Sequence, residues 1–418
     1  MTLPRAVVAL AGARDQYQLP LALHEAGLLD TLVTDLYFPA DRLWFSGSVG
    51  RLLPADLVHK RYCEALRGAA IRVSLKALMA LGVMRANSST TLNWQKGSSI
   101  SRKAGEIALE HGSALFCYTT YAADCFKARE PRPRWRFLFL LQADPRVRRR
   151  ILEEEAELTP IASKSLLSEH EFALTPAQFE ELAGEPSRAN GWVASSTFAA
   201  STLAASGIAT ESVHVVPYGV DLNVFTPRKR RMDFRRPLRV IYAGRAVQSK
   251  GLSYLFDAVR MIGPKNARLT LCVRGEIDRG LIALYDDLDI EIREGYSGAG
   301  LCRLFQESDV FVFPSLADGF GHVILEAMAS GLPVIATPNT AAPDLMQDGA
   351  HGFIVPIRAA REIAAKLEWA LEHRTALEEM GDAAAEQASR FTWQRFRRGV
   401  VSSYEKMVQG KEVLSAEY

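Results

Sequence analysis

Short apolar runs alternate with longer stretches of helical spacing along this chain. The first series is Arg5–Leu10, Asp30–Phe38, Ala114–Thr119, Arg136–Leu141 and Gly191–Ser196. These runs are mostly apolar throughout rather than alternating, the pattern of strands covered on both faces of a parallel sheet. A second series follows: Leu238–Gly244, Arg268–Val273, Asp289–Arg293, Asp309–Ser315 and Leu332–Thr337. Strand–helix alternation at this spacing predicts βαβ units, hence an α/β protein. The series divide at Phe225–Val240, where prolines flank a basic run that reads as a solvated linker. Phe391–Val408 has the spacing of an amphipathic helix. Leu57–Met84 is also helical in pattern, with Lys60, Arg61, Arg67, Arg72 and Lys76 interleaved among Leu66, Ile71, Leu75 and Leu78. It reads either as a surface helix or as a basic face resting on anionic lipid or a lipid-linked acceptor.

The 418 residues exceed one ordinary core, so two domains are expected. The expected division is 1–225, 226–390 and a closing helix over 391–418. A formal charge of +2 predicts no nucleic-acid partner. Five scattered cysteines without a CxxC pair argue against a zinc site or a disulfide framework. The N-terminal apolar run is short for a secretion signal, and no stretch is long enough to span a bilayer. A cytoplasmic protein is expected, with peripheral contact at an anionic membrane left open.

The chemistry concentrates in Ser315–Thr337, SLADGFGHVILEAMASGLPVIAT. A strand ends, a loop carries Asp318, Gly319 and Gly321, and a helix opens with Glu326 in its first turns. Ligands of open parallel sheets bind at the carboxyl ends of strands. The glycines allow close backbone approach, and a helix start suits a phosphate. A carboxylate such as Glu326 can accept from two adjacent hydroxyls, as a ribose offers. Upstream, Gly244–Gly251 reads GRAVQSKG. Its Arg245 and Lys250 fall in another strand-to-helix loop, where two cations suit a diphosphate and the charge it develops on leaving.

Together, PS…Asp318-x7-Glu326 and GRAVQSKG resemble the retaining glycosyltransferases of family 4. Val213–Pro227 and Trp192–Ile208 are similar to that family's segments entering the interdomain region. The likeness covers roughly residues 190–400. It implies the GT-B fold: two Rossmann-like domains facing across a cleft, with a C-terminal helix crossing back to the first. It implies transfer of a sugar from a UDP- or GDP-sugar to a hydroxyl acceptor, a glycan or lipid-linked glycan, with retention and without a required cofactor or metal. Arg245 and Lys250 would bind the diphosphate, Glu326 the ribose, and Asp318 would lie near the donor sugar. Gly244, Arg274, Gly319, Phe320, Gly321, His322 and Val323 would complete the donor site.

The chain departs from that pattern in places. Asp318 stands where Glu is usual. Where the family often has His, Phe137–Arg150 offers Gln142 and Asp144. These two, with Gly12 and Arg14 of the first loop, are the acceptor-side candidates; Gln18 shares that loop. His322 reads as near-site packing or a phosphate contact. Tyr296 reads as a base contact or a surface residue. Asp287–Asp289, a DxD, falls before a strand and reads as solvated charge, not a metal site. Two other readings remain: an epimerase of the same fold, and a non-catalytic nucleotide-sugar-binding subunit.

Overall fold

The computed structural model describes residues 3–38, 61–74, 90–120, 122, 124–126, 131–228 and 236–416; side chains of 90–93 and 411–416 are outside that description. Two wholly parallel sheets carry the fold. The first contains β1 (Ala6–Ala9), β2 (Leu29–Thr34), β3 (Ile71–Val73), β4 (Ala114–Tyr118), β5 (Arg136–Leu140), β6 (Gly191–Ala194) and β7 (Val213–Val215), in the order β3-β2-β1-β4-β5-β6-β7. The second contains β8 (Leu238–Ala246), β9 (Ala267–Ile277), β10 (Ile290–Glu294), β11 (Val310–Phe313), β12 (Val334–Ala336) and β13 (Gly352–Ile354), in the order β10-β9-β8-β11-β12-β13.

Every residue of β1, β4 and β11 is buried, as continuous apolar runs require when helices cover both faces. In each sheet the strand order reverses once, between β1 and β4 and between β8 and β11. Such a reversal splays the adjoining loops apart and leaves a crevice at the strands' carboxyl edge. The two crevices hold the residues considered below.

Six helices matter for the site: α1 (Gln18–Glu25), α2 (Thr90–His111), α3 (Pro145–Leu158), α4 (Leu252–Ile262), α5 (His322–Ala329) and α6 (Trp393–Ala416). Phe396, Val400, Tyr404, Met407 and Val408 form the buried stripe of α6. That stripe lies on the first sheet: the Tyr404 hydroxyl donates to Pro4 O at 2.7 Å, and its ring meets Phe137 edge-on at 5.4 Å. Arg397 donates to Glu25 and Gln18 of α1 at 2.8 and 2.7 Å. Phe396, 1% exposed, packs against Phe139 and Tyr218. Phe396→Ala is therefore expected to cost about 3–5 kcal/mol of stability in chemical denaturation.

Three expectations change. Within Leu57–Met84 the described residues 61–74 are not helical: Glu64–Leu66 is a single 3-10 turn and Ile71–Val73 is an edge strand paired with β2. Arg61 points inward to Asp35 at 2.7 Å and Leu66 is buried, so no basic helical face forms there; Lys60 and Lys76 lie outside the described residues. Arg236, read as linker charge, grips fully buried Asp309 through two hydrogen bonds of 2.6 and 2.7 Å; 229–235 lie outside the described residues. Gln18, placed near the cleft by sequence, accepts from Arg397 and braces α6.

Candidate functional site

Two cavities open where the carboxyl edges of the sheets meet. The larger, of 610 Å³, is lined from the second sheet by Gly244, Arg274, Tyr296, Val323 and Glu326, and from the first-sheet side by Asp15 and Gln16. His322 and Trp393 of α6 also line it. The smaller, of 280 Å³, is lined by Thr119, Thr120, Gln142, Asp144, Arg148, Glu169, His170 and Arg245, among others. Of the predicted donor residues, Gly244, Arg274, His322, Val323 and Glu326 thus share the larger cavity. Arg245 faces the smaller one.

Glu326 sits on α5 within the first two turns, half-buried and facing the cavity. Burial pushes its carboxyl up to about 7, a rise that Arg274 only partly offsets. A carboxylate here is short of hydrogen-bond donors, and a ligand's hydroxyl pair would supply them. His322 stacks on Tyr218 at 4.5 Å within a ring cluster that includes Phe320 and Trp393. Desolvation at the cavity wall lowers its basicity, opposed by the nearby Asp15 and Asp318 carboxylates.

Lys250 ends the loop after β8. Gly251 follows with φ +70, and a Cβ there would lie 2.1 Å from Pro314 O at the end of β11. Only glycine permits this approach, which brings Lys250 beside the 318–321 loop. Its ammonium meets Asp318 at 2.5 Å. Burial alone would raise the Asp318 carboxyl; Lys250 and the Phe320 N–H together hold it below the ordinary value. Arg245 is likewise engaged: its Nη2 donates to both oxygens of Glu169, at 2.8 and 2.9 Å. Arg245, which lies on β8 rather than in the loop expected from sequence, and Lys250 therefore each carry a protein carboxylate.

The 318–320 loop is also where the two sheets touch. Gly319 N donates to the Gln142 side chain at 3.2 Å, and Gly319 O accepts from the hydroxyls of Ser195 and Ser196 at 3.2 and 2.6 Å. Beside it, fully buried Glu155 of α3 accepts from Gln248, Tyr254 and Arg358 at 2.7–2.9 Å. These contacts hold the cleft closed on that side.

On the first-sheet side, Asp144 is the N-cap of α3; its carboxylate accepts from Arg146 N and Ser206 Oγ. Gly12, with φ +78, donates its N–H to Asp35, and Arg14 is exposed. The residue that enters the cavity from this loop is their neighbour Asp15. Asp15, Gln16 and Tyr17 have φ of 47, 51 and 63, a left-handed turn of three residues with side chains, which costs energy at each. Tyr118 donates to Asp15 at 2.8 Å, and burial raises its carboxyl. Sequence reading passed over Asp15 and Glu169. Asp15 stood in a loop already singled out, but nothing in its composition announces a left-handed backbone. Glu169 lies in SLLSEHEFAL, without spacing or motif to mark it.

Asp287 pairs with Arg260, and no group of three or more His, Cys, Asp or Glu among the described residues is arranged to hold a metal ion. No helix among them is long and apolar enough to cross a membrane.

Two facing parallel sheets, each with a crevice at its order reversal, and a last helix returning to the first define a GT-B protein. The sucrose-phosphate synthase from Thermosynechococcus elongatus has this fold, with a TM-score of 0.60 over the whole of both chains at 17% identity. Residues 237–373 match the family model described as Glycosyl transferases group 1, and this region of the chain belongs to that family. The chain is 32% identical to the MMP alpha-(1->4)-mannosyltransferase of Mycolicibacterium hassiacum over 221 residues, 51% of this chain and 53% of the relative. It is 31% identical to the D-inositol 3-phosphate glycosyltransferase of Paenarthrobacter aurescens over 222 residues, 49% and 54% of the two chains. It thus spans about half the length of these curated relatives.

Proposed function

We propose that this protein transfers a hexosyl group from a nucleotide-diphosphate sugar to a hydroxyl acceptor, with retention. One observation carries the reading: a half-buried carboxylate, Glu326, stands with Arg274 and Tyr296 in a 610 Å³ cavity at the sheet's order reversal. In this reading Glu326 receives the ribose hydroxyl pair and Tyr296 borders the base. Arg245 and Lys250 neutralise the diphosphate, with N–H groups of residues 321–323 beside it. Asp318 faces the donor sugar. Residues 226–390 hold the donor, 1–225 the acceptor, and 391–418 brace the two.

The acceptor oxygen attacks the anomeric carbon as the bond from that carbon to the diphosphate breaks. The acceptor's proton passes to the leaving phosphate oxygen. Fixed cations at that oxygen lower the barrier because charge grows there in the transition state. Closing the cleft excludes water, which otherwise competes as the acceptor.

The test is product analysis. Nucleotide sugars are incubated alone and with alkyl glycosides or D-inositol 3-phosphate, the compound in one relative's name. The reading predicts nucleoside diphosphate release that requires acceptor, and a product keeping the donor's anomeric configuration by NMR. Conversion of the donor alone into a second nucleotide sugar would instead make the protein an epimerase.

A further inference from the structure

The proposed phosphate-binding arginine is turned toward the smaller cavity and held by Glu169. Glu169 is 4% exposed and receives a set of donors resembling those given to a bound oxyanion. Arg245 Nη2 reaches both its oxygens, Arg148 Nη2 donates at 2.8 Å, and Ser249 Oγ donates at 2.5 Å. Two guanidinium groups and a hydroxyl converging on one carboxylate form the geometry that binds phosphate oxygens. Ser249 lies next to Lys250 in the turn Gln248–Lys250, and Arg245 stands near the end of β8, so the hydroxyl and both cations fall within six residues of chain.

We propose that Arg148, Arg245 and Ser249 form a phosphate-binding site, and that Glu169 is its built-in occupant, displaced when a diphosphate arrives. The identification of that diphosphate as the donor's rests on the function proposed above; the anion site itself does not.

Three features favour exchange over a permanent structural pair. First, Glu169 lies on no regular element: with Ser168 it joins two short helices, Ser163–Leu167 and His170–Ala173. Second, Arg148 has another partner, Glu171, so it keeps a counter-charge when Glu169 leaves. Third, Glu169, His170 and Arg245 line the 280 Å³ cavity, which gives the segment and the guanidinium space to move. Burial favours the neutral acid, but Arg148 and Arg245 hold Glu169 ionised down to about pH 2. The carboxylate therefore does not release by protonation near neutrality; another anion must replace it. Glu169 comes from the first-sheet side and Arg245 from the second, so exchange also breaks a tie between the sheets. Donor arrival and cleft motion are coupled through this one contact.

The experiment is calorimetric titration of inorganic pyrophosphate into the full chain, wild type and Glu169→Gln. Removing the competing charge is expected to tighten pyrophosphate binding at least ten-fold. Adding Ser249→Ala or Arg245→Ala to Glu169→Gln is expected to reverse most of that gain. Glu169→Asp, which keeps the charge but shortens the reach, is expected to give a smaller gain and serves if the glutamine variant does not fold. Binding equal to or weaker than wild type, in either variant with native circular dichroism, overturns the proposal. UDP and GDP are titrated alongside. Pyrophosphate tightening without binding of either nucleotide supports the anion site and counts against the donor reading. Nucleotide binding that Glu169→Gln leaves unchanged does the reverse.

Discussion

Gly319→Ala is expected to lower turnover about 100-fold and stability by roughly 3 kcal/mol. A Cβ at this position would lie 2.1 Å from Leu141 O and 2.7 Å from Gln142 Cα. Both are backbone atoms at the end of β5, which no rotamer change can move aside. The sheets would have to separate locally by about an ångström, stretching the hydrogen bonds from Ser195, Ser196 and Gly319 N. Overpacking in a close contact typically costs about 1–3 kcal/mol, and misplacing reacting groups by about 1 Å costs on the order of 10²-fold in rate. Denaturant unfolding and turnover of the same sample check both parts. Native stability and rate in Gly319→Ala would mean that the 318–320 contact does not set the cleft.

Glu326→Gln is expected to move stability and nucleotide binding in opposite directions. The folded carboxyl titrates at about 7, against an ordinary value of 4.5. Because the folded value is raised, the folded state holds the proton more tightly. Stability is therefore greatest below about pH 4.5 and falls as pH rises to about 7. Above that the ionised group costs roughly 3–4 kcal/mol, since each tenfold change in proton affinity is worth about 1.4 kcal/mol. Glutamine carries no charge, so the variant should melt several degrees higher than wild type at pH 8, with the gain shrinking as pH falls and vanishing by about pH 4. It also replaces a carboxylate that accepts two hydroxyls with an amide that accepts less well. Loss of a charged hydrogen bond is worth about 1.5–3 kcal/mol, or roughly 10–100-fold in nucleotide affinity. A variant that neither gains stability at pH 8 nor loses affinity would place Glu326 in a hydrated, structural role.

Strands β8 to β12 of the second sheet were legible because their apolar runs, alternating with charge in β10, leave few alternatives. The loop chemistry there was legible because Gly251, Asp318 and Glu326 fall at fixed spacings around strand ends. Short edge strands were not: β3, β7 and β13 have three residues each and carry too little periodicity to register. Leu57–Met84 misled because basic and apolar residues at helical spacing say nothing about whether a neighbouring strand, here β2, recruits the segment first. Asp144 has the N-cap signature, an acid before proline, and the structure uses it that way. The carboxylates engaging Arg245 and Lys250 divide on the same principle. Lys250 and Asp318 are 68 residues apart but each falls in a motif visible in the sequence, whereas Glu169, 76 residues from Arg245, falls in none and only the folded chain brings it there.

The most direct test of the donor cavity is a thermal-shift panel of UDP, GDP and ADP with wild type, Glu326→Ala and Arg274→Ala. At about 100 times its dissociation constant a ligand adds roughly 2.7 kcal/mol to native stability. Wild type is expected to gain that much with one nucleotide base, with the gain abolished in Glu326→Ala and reduced in Arg274→Ala. A folded wild type that responds to no nucleotide, or a response that survives in Glu326→Ala, would contradict a donor site built on Glu326.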